Sequence, residues 1–158
     1  MAVVKRQYKD INDTLKSIKI QIIDGLDFAL NECPQFKNPE QLYNWLLARC
    51  TYENDPKDVE LLQCLPTLLT EDNEHGIPGA GDCDCFSIAL VTLLVAQGWD
   101  NINIVLAGRS KKCPVHIWVE IKWRGKNQTL DLTNRKFNKE RYYPLTQKIP
   151  VQWRKWKM

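Results

Sequence analysis

Gly81-Asp82-Cys83-Asp84-Cys85-Phe86, His116-Ile117-Trp118-Val119-Glu120 and Asp131-Leu132-Thr133 are the stretches of this chain whose residue types and order could do chemistry. Together they supply a thiol, an imidazole and a carboxylate, the set used for nucleophilic acyl transfer. A thiol attacks only as thiolate, and an ordinary pKa of about 8.5 leaves it mostly protonated near neutrality. Cys83 stands where an acidic, glycine-punctuated loop gives way to Phe86, Ile88, Ala89, Leu90, Leu93 and Leu94, a helical pattern. The partial positive charge of a helix N-terminus is expected to favour the thiolate there. His116 would take up and return the proton, and Asp131 would hold the imidazole in the productive tautomer. Water or an amine would then resolve the thioester, and these three residues do not choose between them. The backbone N–H of Cys83 is one expected donor to the oxyanion.

The order Gly-Asp-Cys, His-x-Trp-Val-Glu, Asp-x-Thr resembles the transglutaminase-like superfamily. Tyr52-Glu53-Asn54-Asp55-Pro56 with Val59-Glu60-Leu61-Leu62 resembles the segment before the nucleophile in small bacterial and phage-encoded members, and Leu93-Leu94-Val95-Ala96-Gln97-Gly98 resembles the end of their central helix. The likeness covers about residues 38 to 135. It implies a circularly rearranged relative of the papain-type cysteine protease fold, with catalytic Cys83, His116 and Asp131. It also implies a second oxyanion donor from an aromatic side chain upstream, a position matched here by Tyr52. No cofactor is implied. Two residues depart from the family pattern: Leu132 where a proline commonly follows the aspartate, and Cys85 beside the nucleophile.

Other readings of the same residues stand beside this one. Cys83, Cys85, Cys113 and His116 present three thiols and an imidazole, a tetrahedral zinc set, although Cys-x-Cys is a less usual spacing and Asp131 is then unexplained. A catalytically silent structural or virion-associated protein could also keep the fold. Cys85 reads as a structural thiol, Trp118 and Glu120 as residues that brace a sheet, and His75 as a solvent-exposed loop residue. The acidic residues between 71 and 84 do not follow the spacing of a calcium loop.

The elements that must position these groups divide into a helical first half and a stranded second half, an α+β pattern in which a central nucleophile-bearing helix packs on an antiparallel sheet. Ile11, Leu15, Ile18, Ile22 and Leu26 recur at helical spacing over residues 10 to 32. A second helix is expected from Asn38-Pro39 to about Cys50, using Leu42, Tyr43, Trp45 and Leu46, and a third over Asp58 to Leu65, broken by Pro66. Thr70 to Gly81 reads as turns, and the nucleophile helix as Cys83 to Gln97, closed by Gly98. Strands are expected over Asn101 to Ala107, Val115 to Trp123 and Gln128 to Leu132, with a turn at Arg124 to Asn127. That hairpin would bring His116 toward Asp131, but its register is not readable from sequence.

At 158 residues and a net charge of +3, the composition fits one soluble domain. Residues 1–37 read as a helical extension packing on a transglutaminase-like domain, 38–158. The opening residues lack the apolar core of a signal peptide, no stretch approaches a membrane span, and six cysteines read as reduced thiols, so a cytoplasmic setting is expected, with virion association compatible. Lys136, Lys139, Arg141, Lys148, Arg154, Lys155 and Lys157, interleaved with Tyr142, Tyr143, Trp153 and Trp156, read as a solvated terminal strand pair rather than a nucleic-acid surface. The expected partner is a protein or peptide substrate whose amide bond is hydrolysed, within a larger assembly or outside one.

Overall fold

The computed structural model describes residues 4–6, 11–54, 60–108 and 114–156. Helix α1 (Ile11–Glu32) lays Ile18, Ile22, Leu26 and Ala29 along one stripe against the interior. Helix α2 (Pro39–Leu47) starts where the Asn38 side chain accepts a hydrogen bond from the Gln41 N–H at 2.8 Å, with Pro39 in the first turn where no N–H is needed. It ends three residues before the expected Cys50.

The third helix differs more. Strand β3 (Glu60–Leu62) takes part of its expected place, and α3 (Leu65–Leu69) begins at the point where Pro66 was expected to stop a helix. Proline is compatible with a first helical turn, and the same residue opens the element instead of ending it. The short strands pair as β1 (Val4–Arg6) with β3, antiparallel, and β2 (Thr51–Tyr52) with β4 (Ala80–Gly81), parallel.

Helix α4 (Cys83–Ala96) is buried on every side from Cys85 to Val95, as its continuous apolar sequence requires. It is packed between α1 and a four-stranded antiparallel sheet of order β7-β6-β5-β8. The strands are β5 (Ile102–Gly108), β6 (Pro114–Trp123), β7 (Lys126–Leu130) and β8 (Leu145–Pro150). Gly98, at φ 80°, follows the C-cap of α4, and Arg124-Gly125, at φ 49° and 81°, form the tight turn between β6 and β7. The architecture is α+β with an antiparallel sheet.

The two faces of that sheet are chemically distinct. Ile102, Ile104, Leu106, Ile117, Val119, Ile121 and Leu130 join the main core with α1 and α4. Val105, Ala107 and Trp118 form a second small cluster under Tyr143. The C-terminal segment supplies one edge strand, β8, in place of the expected strand pair. Trp153 Nε1 then donates to the Trp99 carbonyl at 2.9 Å and Arg154 pairs with Asp100 at 2.9 Å, tying the chain end to the exit of α4. Among the described residues no helix is long and apolar enough to cross a membrane.

Candidate active site

The approach to Cys83 is built from backbone. Gly79 has φ +84°, and a Cβ there would lie 1.7 Å from the Arg49 carbonyl oxygen, so no other residue fits. This close approach lets the Thr51 N–H reach the Gly79 carbonyl at 3.0 Å and the Glu53 N–H reach that of Gly81 at 2.8 Å. Buried Gln63 completes the frame: its Oε1 accepts from the Glu74 N–H at 3.0 Å, and its Nε2 donates to the Ala80 carbonyl and to the Cys85 sulfur, both at 3.4 Å. The loop before it is held by buried Asn73, whose Oδ1 accepts from His75 and Ile77 and whose Nδ2 donates to the Leu68 and Ile77 carbonyls. His75, expected in solvent, is half-buried here, and its Nε2 has no partner among the described residues.

Asp82 caps α4, its Oδ1 accepting from the N–H groups of Asp84 and Cys85 at 3.1 and 3.3 Å. Cys83 is therefore the first helical residue, and its own N–H lies outside this cap. Cys85 is fully buried and belongs to the core.

The backbone of Ile117 acts on the Cys83 thiol, lowering its pKa against the groups that raise it. The sheet register leaves that backbone open on one side. In a hairpin closed by two residues, Trp123 and Lys126 are a hydrogen-bonded pair, so Ile121, Val119 and Ile117 all direct their backbone groups toward β7. The pairing with β7 ends at Val119 and Leu130, which leaves Ile117 without a strand neighbour on that side.

The chain leaving β7 supplies the carboxylate. Asp131 opens a short 3-10 turn, Leu132–Asn134; its Oδ1 accepts from the Thr133 N–H at 3.0 Å and the Thr133 hydroxyl at 2.7 Å. Its Oδ2 is 2.6 Å from His116 Nε2, and both residues are buried. Leucine at 132 thus leaves an orienting turn intact where the resemblance expects proline. Burial pushes the Asp131 carboxyl up, but the His116 hydrogen bond and charge, with the two Thr133 hydrogen bonds, bring it below its ordinary value. An ionised carboxylate can only accept, so Nε2 carries the proton and Nδ1 is the basic nitrogen.

Two contacts here were not read from sequence. Tyr43, counted only as part of the apolar face of α2, donates its hydroxyl to the Asp131 carbonyl at 3.3 Å, and burial with the Asp131 charge pushes its phenol up to about 12. Tyr143 stacks on His116 and on Trp118, with ring centroids 5.9 Å apart in each case. A register shift in the β5–β6 pairing lies next to His116, a local irregularity of the kind that re-aims a side chain at a sheet edge. Trp118 is buried below the stack, and Glu120 binds Lys148 at 2.9 Å and Asn103 at 3.0 Å, joining β6 to β8 and β5.

A cleft of about 360 Å³ opens here, lined by Tyr52, Val115, His116, Thr133, Arg141 and Tyr143. Tyr52 stands at its rim, paired in register with Gly81 and edge-on to Phe86 of α4. Of the candidate residues, Tyr52 and His116 line this cleft, Asp131 holds His116, and Cys83 at the start of α4 is not among the lining residues. The electrostatics of Cys83 correct one expectation. Burial, then Asp84 and Asp82, raise its thiol well above the ordinary value, and the Ile117 backbone opposes them only in part. Burial and the carboxylates of Asp84 and Asp82 together outweigh the lowering expected from the helix N-terminus.

Of the four-ligand zinc alternative, only part falls on the described residues. Cys85 points into the core, Cys113 lies outside the described residues, and among the described residues no group of three or more His, Cys, Asp or Glu could hold a metal.

No family model and no solved structure matches the chain. It is similar to the DNA primase small subunit PriS of Thermococcus kodakarensis, at 30% identity over 96 residues, an alignment covering 56% of this chain and 24% of that protein. The chain therefore spans less than a quarter of that relative's length, too little to define a family.

Proposed function

We propose that this protein is a cysteine-dependent acyl-transfer enzyme of transglutaminase-like, papain-related architecture that hydrolyses peptide or amide bonds. The observation that supports this most is the buried His116–Asp131 pair at 2.6 Å, with His116 lining a cleft and the Cys83 thiol acted on by the backbone of the next residue, Ile117. Cys83 rests as a thiol, so attack on the carbonyl is coupled to transfer of its proton to Nδ1 of His116, a general-base step rather than a preformed ion pair. Asp131 stabilises the imidazolium through Nε2. The imidazolium returns the proton to the leaving amine, a thioester forms on Cys83, and water activated by the same imidazole releases the acid. The Cys83 N–H and the Tyr52 hydroxyl are the proposed oxyanion donors. A protein or peptide is the proposed partner; the primase likeness is too partial to add nucleic acid.

The test is reaction with p-nitrophenyl acetate. A burst of nitrophenolate with one acetyl group mapped to Cys83 is expected, absent in Cys83→Ala and slower by about 10²-fold or more in His116→Ala. Acetylation of Cys83 at the same rate with and without His116 would leave the fold as a structural module.

A further inference from the structure

We infer that the cleft beside His116 binds the carboxylate of an acyl substrate and that Arg141 is the residue that holds it, a deepening that rests on the acyl-transfer reading above. The six lining residues include no carboxylate; Arg141 is the one permanent cation among them, beside the imidazole of His116. Among the described residues Arg141 makes one hydrogen bond, from Nη2 to the Thr133 carbonyl at 3.1 Å, and no acidic side chain there pairs with it. A guanidinium has five donors in a rigid fork matched to a carboxylate, and most of that fork has no partner among the described residues. Asp131, the buried anion anchored by the same Thr133, is already engaged on both oxygens by Thr133 and His116.

Position gives the cation its role. Thr133 both anchors Arg141 through its carbonyl and anchors Asp131 through its hydroxyl and N–H, so the guanidinium is referenced to the same short turn as the catalytic pair. Tyr52 and Val115, 48% and 66% exposed, offer apolar sides for the rest of the acyl group. A side-chain carboxylate, as in glutamate, and a chain-end carboxylate share the chemistry Arg141 would recognise.

Binding and acylation are measured separately. In full-length Cys83→Ala protein, the Tyr52 and Tyr143 ring resonances are followed by NMR during titration with N-acetylglutamate α-amide, N-acetylglutamine α-amide and N-acetylalanine. Saturable shifts with one or both carboxylates are expected, at about tenfold or more lower concentration than with the neutral glutamine compound. Which carboxylate binds tells side chain from chain end. In wild type, Cys83 acylation by mono-p-nitrophenyl glutarate is compared with that by p-nitrophenyl acetate. Arg141→Gln should collapse the anionic-to-neutral ratio and Arg141→Lys should restore part of it, whereas a merely structural arginine would move both esters together. Equal binding of acidic and neutral compounds, or an unchanged ratio in Arg141→Gln, overturns the inference. Carboxylate binding without acylation by either ester would instead sink the catalytic reading and leave the subsite standing.

Discussion

Thr133 places both of its hydrogen-bond donors on one oxygen of Asp131, the N–H at 3.0 Å and the hydroxyl at 2.7 Å, and thereby leaves the other oxygen for His116. The carboxylate is oriented from within two residues of itself, before the imidazole arrives. Thr133→Val keeps the shape and the backbone donor and removes only the hydroxyl. Its expected effect is a loss of about 1 kcal/mol of stability by urea unfolding, with slower acylation of Cys83 because Asp131 is freer to turn. An unchanged unfolding midpoint and rate would show that the N–H alone orients the carboxylate.

Asp131→Asn tests the pair through pH. The folded carboxyl is held below its ordinary value, so its contribution is complete above about pH 4 and fades as pH falls through the lowered folded value. The stability gap between wild type and Asp131→Asn should be widest near neutrality and close on acidification. Equal gaps at pH 7 and pH 3 would mean the pair does not stabilise the fold. The same variant should acylate Cys83 about 10²-fold or more slowly, since an amide neither fixes the tautomer nor stabilises the imidazolium.

Alkylation of Cys83 by iodoacetamide, ranked by peptide mass spectrometry, should be slow at neutral pH and still rising beyond the ordinary thiol pKa of about 8.5, because burial, Asp84 and Asp82 all raise it. Asp84→Asn removes one of those charges without touching the Asp82 cap and should move the profile toward lower pH. A fast, flat profile below pH 7 in wild type would reveal a resident thiolate and replace the general-base step with an ion-pair mechanism.

Gly79→Ala should be severely destabilising, on the order of 3 kcal/mol or more, because φ is +84° and the new methyl would meet the Arg49 carbonyl at 1.7 Å. Gly125→Ala, at φ +81° with nothing near its Cβ position, isolates the conformational part and should cost about 1 kcal/mol. Similar midpoints for the two variants in urea would show that the Gly79 contact relaxes easily.

Local chemistry made much of this protein legible from its residues alone. Apolar spacing marked α1 and α4, Asn38 and Pro39 marked the start of α2, Gly98 marked the end of α4, and the turn at Arg124-Gly125 marked a hairpin, because capping, periodicity and positive φ act within a few residues. The candidate groups Cys83, His116, Asp131 and Tyr52 were likewise visible as types in order. Their geometry was not. Pro66 is compatible with either end of a helix, and only packing around Leu65 and Leu68 placed it at the start of α3. The end of β7 at Leu130, which leaves Ile117 without a strand neighbour on that side, depends on a strand register that has no sequence signature. Tyr43 reaches Asp131 across 88 positions, and Tyr143 covers His116 from beyond the sheet. Such contacts join segments whose separation in sequence carries no record of their meeting, so they exist only once the chain has buried its core.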